Sequence, residues 1–285
     1  MMSTIQTRAT FYSTALERCL DAFRQLDEDD WRMGHRGDKW TARDYLAHLV
    51  TNQEAEINTV TAQNLAGQEV DIPGLRSRAD IDSFNESHVA EVRNVSTQEL
   101  LSRLQAAFQA HIDMLSGLKE EDLHKPGGNP GLAHPATIGQ LFSMGYLHLP
   151  LHYQHIRWFV RRRRRLPHWM ELASPEETHE ALSQSFDLMP VFYWPERGGD
   201  LRATYLFDLE GEGGGQWTLQ IAEGECRSSE GLLHHANVRF TTRPAHWLDL
   251  QTKELGSLRA LITRRLRIKG NFGLALKLDR LFQIS

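Results

Sequence analysis

The chain has 285 residues, 24% of them charged and 40% hydrophobic, with 32 basic against 37 acidic side chains and a net charge of −5. That composition is ordinary for a globular protein, its mild acidity argues against nucleic acid as a partner, and its length accommodates two domains with separate cores. No apolar run reaches the roughly 18 residues that open a case for a bilayer span, and MMSTIQTRATFYS lacks the apolar centre of a signal peptide, so a cytoplasmic location is expected.

Residues from Thr7 to Leu26 are expected to form a first helix, with Phe11, Ala15, Leu16, Cys19, Leu20 and Phe23 along one stripe. Cys19 and Cys226 lie far apart in sequence and neither has a Cys partner at metal-binding spacing, so both are expected as free thiols. A polar loop, DEDDWRMGHRGDKW, delivers Trp40 and a capping pair, Thr41 with Asp44, ahead of a second helix from Ala42 to about Leu65. His48 lies on its second turn. The connection through Pro73 and Gly74 to Asp80 is long enough to be a lid or pocket wall, and a plain surface crossover is equally compatible.

Asp80 to Asn94 forms a further helical segment, and Ser96 with Glu99 caps the next helix, whose apolar face runs through Leu100, Leu104, Phe108, Ile112 and Leu115. His111 falls on that stripe and reads as a core histidine. After the Gly- and Pro-rich loop KPGGNPGLAHP, Thr137 and Gln140 cap a long helix reaching Val160. Four long helices with one long crossover describe a bundle, and bundle cores are where facing helices present metal ligands.

The last of these helices carries the chemistry. His148 and His152 stand one turn apart and His155 follows three residues later, so the three imidazoles share a face. A pair at this spacing offers two nitrogens to one ion, with His48 as a third ligand from a neighbouring helix and open positions left for water or substrate. Ordinary buried or surface histidines produce the same spacing in a chain with 14 His. Pro150 lies between the pair, where it deletes the donor to the Tyr146 carbonyl and makes a kink there an expectation. Five consecutive arginines, Arg161 to Arg165, then complement the helix C-terminus as a solvated face.

Beyond this run the hydrophobic period changes. Pro175 to Met189 is helical, whereas Leu201 to Leu209, Trp217 to Ile221, Ala236 to Thr241 and Arg267 to Lys269 read as strands. GEGGGQ and Glu223-Gly224 mark turns, Thr242 and Pro244 open a helix, and Phe272 to Phe282 closes the chain as an amphipathic helix. The expected fold is therefore an all-α four-helix bundle over residues 1–166, a linker at 167–179 and an α+β domain with an antiparallel sheet over 180–285.

DKWTARDYLAHL, IDSFNESHV and TIGQLFSMGYLHLPLHYQHI resemble the DinB-like superfamily, in particular the amino-terminal domain of mycothiol-dependent maleylpyruvate isomerases, across about residues 7 to 165. The resemblance implies a divalent metal, zinc first and nickel second, held by His48, His148 and His152. It places His155 outside the ligands, as an orienting or proton-relaying catalytic group. WTLQIAEGE, ANVRFTTRPAHWLDLQTKE and LRIKGNFGLALKLDRLF resemble sterol carrier protein type two domains across about residues 180 to 285. Such domains enclose an apolar tunnel.

Two functions follow as expectations. In the first, a metal-bound low-molecular-weight thiol of the mycothiol type attacks a small unsaturated or anionic substrate, giving isomerisation or S-transfer, with Arg239, Arg243 or Arg267 as candidates to clamp an anion. In the second, the carboxy-terminal domain carries a lipid or other apolar ligand lined by Phe207, Trp217, Leu219, Phe240 and Leu278, which also read as plain core. The superfamily resemblance adds a homodimer as an expected assembly.

Overall fold

The computed structural model describes residues 4–34, 39–132, 134–231 and 235–282; the loop expected at 35–38 lies outside them. The chain divides into two compact units, Met1–Leu172 and Ala173–Ser285. Among the described residues no helix is long and apolar enough to cross a membrane.

The first unit is helical. It comprises α1 (Thr4–Phe23), α2 (Glu28–Trp31), α3 (Ala42–Asn52), α4 (Asn58–Leu65), α5 (Ile81–Glu91), α6 (Thr97–Ser116), α7 (Ile138–Val160) and α8 (Trp169–Leu172), with a two-residue ladder of β1 (Pro126–Gly127) and β2 (Ala136–Thr137). Four long rods, α1, α3 with α4, α6 and α7, enclose a core in which Tyr12, Phe23, Leu46, Leu49, Leu104, Phe108, Phe142 and Ile156 are fully buried. The Tyr12 and Tyr146 rings stack at 4.3 Å between α1 and α7. Caps set the helix starts: Thr41 with Asp44, Ser96 with Glu99 and Thr137 with Gln140 each satisfy amides that the first helical turn leaves without partners.

Three details differ from the sequence reading. Helix α7 continues through Pro150, and the irregularity falls on the facing rod, where Gln53–Ile57 forms a π-turn between α3 and α4 and the Asn58 amide donates to the Gln53 carbonyl. The arginine run is exposed, as expected, yet Arg163 and Arg164 also grip α2: their Nε atoms each donate to the buried Asp30 carboxylate at 2.8 Å. The 167–179 stretch holds α8 and the start of the next helix. There Trp169 is buried beside Tyr153 at 5.5 Å, and its amide donates to Gln154 Oε1, which fastens the segment to the bundle.

In the long connection after α4, Ile72 and Leu75 turn inward and are buried, so this part of it packs against the helical unit rather than running over its surface. It is fastened to α4 through Gln63, whose side chain accepts from the Asp71 amide at 3.0 Å and donates to the Asp71 carbonyl at 3.2 Å.

The second unit comprises α9 (Pro175–Phe192), α10 (Pro195–Gly198), β3 (Ala203–Leu209), β4 (Gly215–Ala222), β5 (Glu225–Glu230), β6 (Val238–Thr242), α11 (Pro244–Gln251), α12 (Ser257–Ile262), β7 (Arg267–Gly270) and α13 (Phe272–Leu281). Its sheet has the order β5-β4-β3-β6-β7. Three of the four pairings are antiparallel, as expected, and β3 with β6 is parallel. Phe207 pairs across with Trp217 on one side and Phe240 on the other, so one face carries the aromatic core. Phe186 of α9 stacks on Trp217 at 4.8 Å. Strand β5, ECRSSE, is an addition to the expected strands: it is a polar edge strand with no buried residue, and hydrophobic alternation cannot reveal it.

Candidate metal centre

Helices α3 and α7 bring three imidazoles together. His48 Nε2 lies 3.1 Å from His148 Nε2, and His152 Nε2 lies 2.9 Å from the same atom. One ligand atom from each of the three falls within 4.8 Å of the others. His48 and His152 are buried, whereas His148 keeps partial exposure as a residue.

This convergence fits a cation. An imidazole nitrogen carries either one proton or one lone pair, so His148 Nε2 can hydrogen-bond only one of the two nitrogens that crowd it. The other contact sets lone pairs or protons against each other unless a positive ion lies between them. Metal–nitrogen bonds of about 2.05 Å at tetrahedral angles separate two ligand nitrogens by roughly 3.3 Å, close to the spacings seen.

The imidazoles are also in the protonation state that a metal needs. Burial first, and then the neighbouring histidines, hold His48 and His152 well below the ordinary histidine value, and burial with His155 brings His148 down to about 4. All three are therefore neutral near pH 7.

With the Nε2 lone pairs directed inward, each ring proton sits on Nδ1. His152 Nδ1 lies 3.2 Å from His155 Nδ1, and Tyr45 stacks on the His155 ring at 4.8 Å with 19° between planes. His155 thus stands behind a histidine of the cluster. The Nδ1 atoms of His48 and His148 are buried with no hydrogen-bond partner among the described residues.

Several surrounding residues were missed in the sequence. Tyr45 stands three positions before His48 and also lies 5.2 Å from the His152 ring, while Trp40, just outside the cap, lies 5.0 Å from the His48 ring. Helical spacing from His48 is the signal that could have found Tyr45. Asn52 and Glu56 follow His48 at successive steps of four. The buried Glu56 carboxylate accepts from Asn52 Nδ2 at 2.6 Å and from Asn129 Nδ2 at 3.0 Å, the latter from the loop before α7. Burial raises its pKa above the ordinary carboxyl value, against the pull of those two amides. No local pattern marks Asn129.

His111 lies in the core, as expected, and donates Nε2–H to the Phe142 carbonyl at 3.2 Å. Of the arginines considered as clamps, Arg239 is half-buried on β6, Arg243 is exposed at the N-cap of α11, and Arg267 pairs with Glu210 at 2.7 Å.

No curated protein sequence matches the chain. Residues 195–283 match the SCP-2 sterol transfer family and residues 12–156 the DinB superfamily. Among solved structures, a mycothiol-dependent maleylpyruvate isomerase is similar over 87% of this chain and 88% of its own, at 9% identity and a TM-score of 0.56. A histidine-to-alanine mutant of that enzyme is similar over the same shares, at 8% identity and the same TM-score. Sterol carrier protein 2-like 2 from Aedes aegypti covers 36% of this chain and 95% of its own, at 17% identity and a TM-score of 0.32. At such identities the likeness to the isomerase is one of fold, and it extends over both units. The DinB match spans just over half of the 285 residues, and the chain belongs to the DinB superfamily.

Proposed function

We propose that the chain is a metal-dependent enzyme in which His48, His148 and His152 hold a divalent ion, zinc first and nickel as the alternative. The reaction is isomerisation or S-transfer through a low-molecular-weight thiol of the mycothiol type, on a small unsaturated or anionic substrate. The observation that carries this reading is the convergence of three neutral imidazole nitrogens on one point. When bound, the ion supplies a Lewis acid that holds a thiol as its thiolate.

The remaining work falls to the chain's own residues. His155 fixes the His152 tautomer through Nδ1 and is placed to accept or return a proton at that atom. Tyr45 and Trp40 pack against the rings and shield them from water. The fold likeness to a thiol-dependent isomerase supports the reaction class.

The test is metal content by mass spectrometry on protein purified without a metal-affinity column, beside the His148→Ala/His152→Ala double variant. Near-stoichiometric zinc or nickel that disappears in the variant is expected, and it would justify a screen of thiols. Absence of metal in the wild type, with His48→Ala changing nothing measurable, ends the proposal.

A second reading, an apolar-ligand carrier, is favoured by the SCP-2 match over residues 195–283. Against it, Phe207, Trp217, Leu219, Phe240 and Leu278 belong to one packed core, with Phe207 and Phe240 stacked at 5.2 Å. Lipid retained in a native mass spectrum, or binding of a fluorescent fatty acid, would support the carrier; neither would leave the enzyme alone.

A further inference from the structure

Large apolar side chains are exposed at few places among the described residues, and four of the five stand on two helices of the second unit. Leu258 and Ile262 of α12 are 71% and 74% exposed, and Phe272 and Leu276 of α13 are 50% and 65% exposed. Each pair is spaced four apart, so each helix turns one apolar stripe outward. The opposite sides are anchored: Ala260 on α12 and Ala275, Leu278 and Leu281 on α13 lie in the core on the aromatic face of the sheet. The outward stripes are therefore held in place by packing.

Charge distinguishes this region from the rest of the chain. Residues 257–280 contain seven basic side chains and one acidic one, a net +6, whereas the whole chain is −5 and the remainder thus −11. Arg259, Arg264, Arg265, Lys269, Lys277 and Arg280 are all exposed; the seventh base, Arg267, is engaged with Glu210. Exposed apolar residues interleaved with bases on short helices describe a face that enters the boundary between headgroups and acyl chains while its cations meet anionic lipid. A second copy of the chain is a poor occupant, since it would set +6 against +6.

We propose that α12 and α13 form a peripheral docking face for an anionic lipid surface. The bases draw the face to the membrane, and Leu258, Ile262, Phe272 and Leu276 insert shallowly. The strongly acidic remainder is repelled by the same surface, so the chain docks in one orientation. This inference stands apart from the metal centre and from any ligand held inside the second unit.

The experiment is flotation of the full chain with vesicles of phosphatidylcholine alone or mixed with phosphatidylglycerol. Two surface variants accompany it, Ile262→Ser/Leu276→Ser and Arg264→Glu/Arg265→Glu, with circular dichroism verifying the fold and light scattering the oligomeric state. The wild type is expected to float with the anionic vesicles at least about tenfold better than with neutral ones, to be released by high salt, and to lose about tenfold in each variant. Equal partition on both vesicle types, no flotation at all, or flotation unchanged in both variants overturns the proposal. So does a dimer that ignores vesicles and that Ile262→Ser/Leu276→Ser dissociates, which would make the face a contact between copies.

Discussion

Replacing His111 with Gln should remove a defined part of the acid sensitivity of the helical unit. The histidine is fully buried, its Nε2–H is engaged by the Phe142 carbonyl, and its Nδ1 is buried with no partner, so a second proton would have no counter-charge. Burial, only partly offset by the Phe142 hydrogen bond, lowers its pKa from 6.5 to about 4. The folded value lies below the unfolded one, so the unfolded chain takes up a proton that the folded chain refuses. Stability from this residue is complete above pH 6.5 and drains away as pH falls towards 4.

A displacement of about 2.5 units at 1.36 kcal/mol each corresponds to about 3 kcal/mol when the drain is complete, and to about 2 kcal/mol at pH 5. The Gln side chain keeps an amide donor for the carbonyl and does not titrate. Urea unfolding of both proteins at pH 7.5 and pH 5, with chelator present, isolates the effect, because contributions from other groups cancel in the difference. The wild type should lose about 2 kcal/mol more than His111→Gln between the two pH values. Parallel losses would refute the reasoning and show that the buried ring is protonated without penalty.

Glu56→Gln should act in the opposite sense: burial raises the folded carboxyl pKa, so the wild type is relatively most stable in acid and loses stability as pH rises through that value. The variant should gain on the wild type between acid and neutral pH, and a wild type that gains instead would contradict this. Gly145→Ala should destabilise by about 1–3 kcal/mol, since a Cβ there would lie 2.7 Å from His111 Nε2 and 3.0 Å from Ile57 Cγ2; a raised melting temperature would show that the site relaxes. Trp217→Ala should remove about 3–5 kcal/mol from the second unit by opening a cavity beneath Phe186, measured by denaturant unfolding. Tyr45→Ala should leave metal stoichiometry intact while shifting the pH profile of bound-metal release, because it frees the His155 ring without touching a ligand nitrogen; an unchanged profile would assign Tyr45 to packing alone.

Much of this molecule is legible in the linear chain because its determinants are local. Capping pairs such as Thr137 with Gln140, the apolar stripe through Leu104 and Phe108, and the alternation in β3 each report a backbone period within a few residues. The i, i+4 spacing of His148 and His152 fixes a shared helix face before any tertiary contact forms. Only folding could decide that His48, one hundred residues earlier, meets them at 3.1 Å, because that depends on which faces of α3 and α7 the core selects. The same holds for Asn129 on Glu56, for Arg163 and Arg164 on Asp30, and for the polar edge strand β5, whose place comes from pairing with β4. These contacts join residues that share no local period. The energy that places them is burial summed over the whole core, which no single stretch of sequence carries.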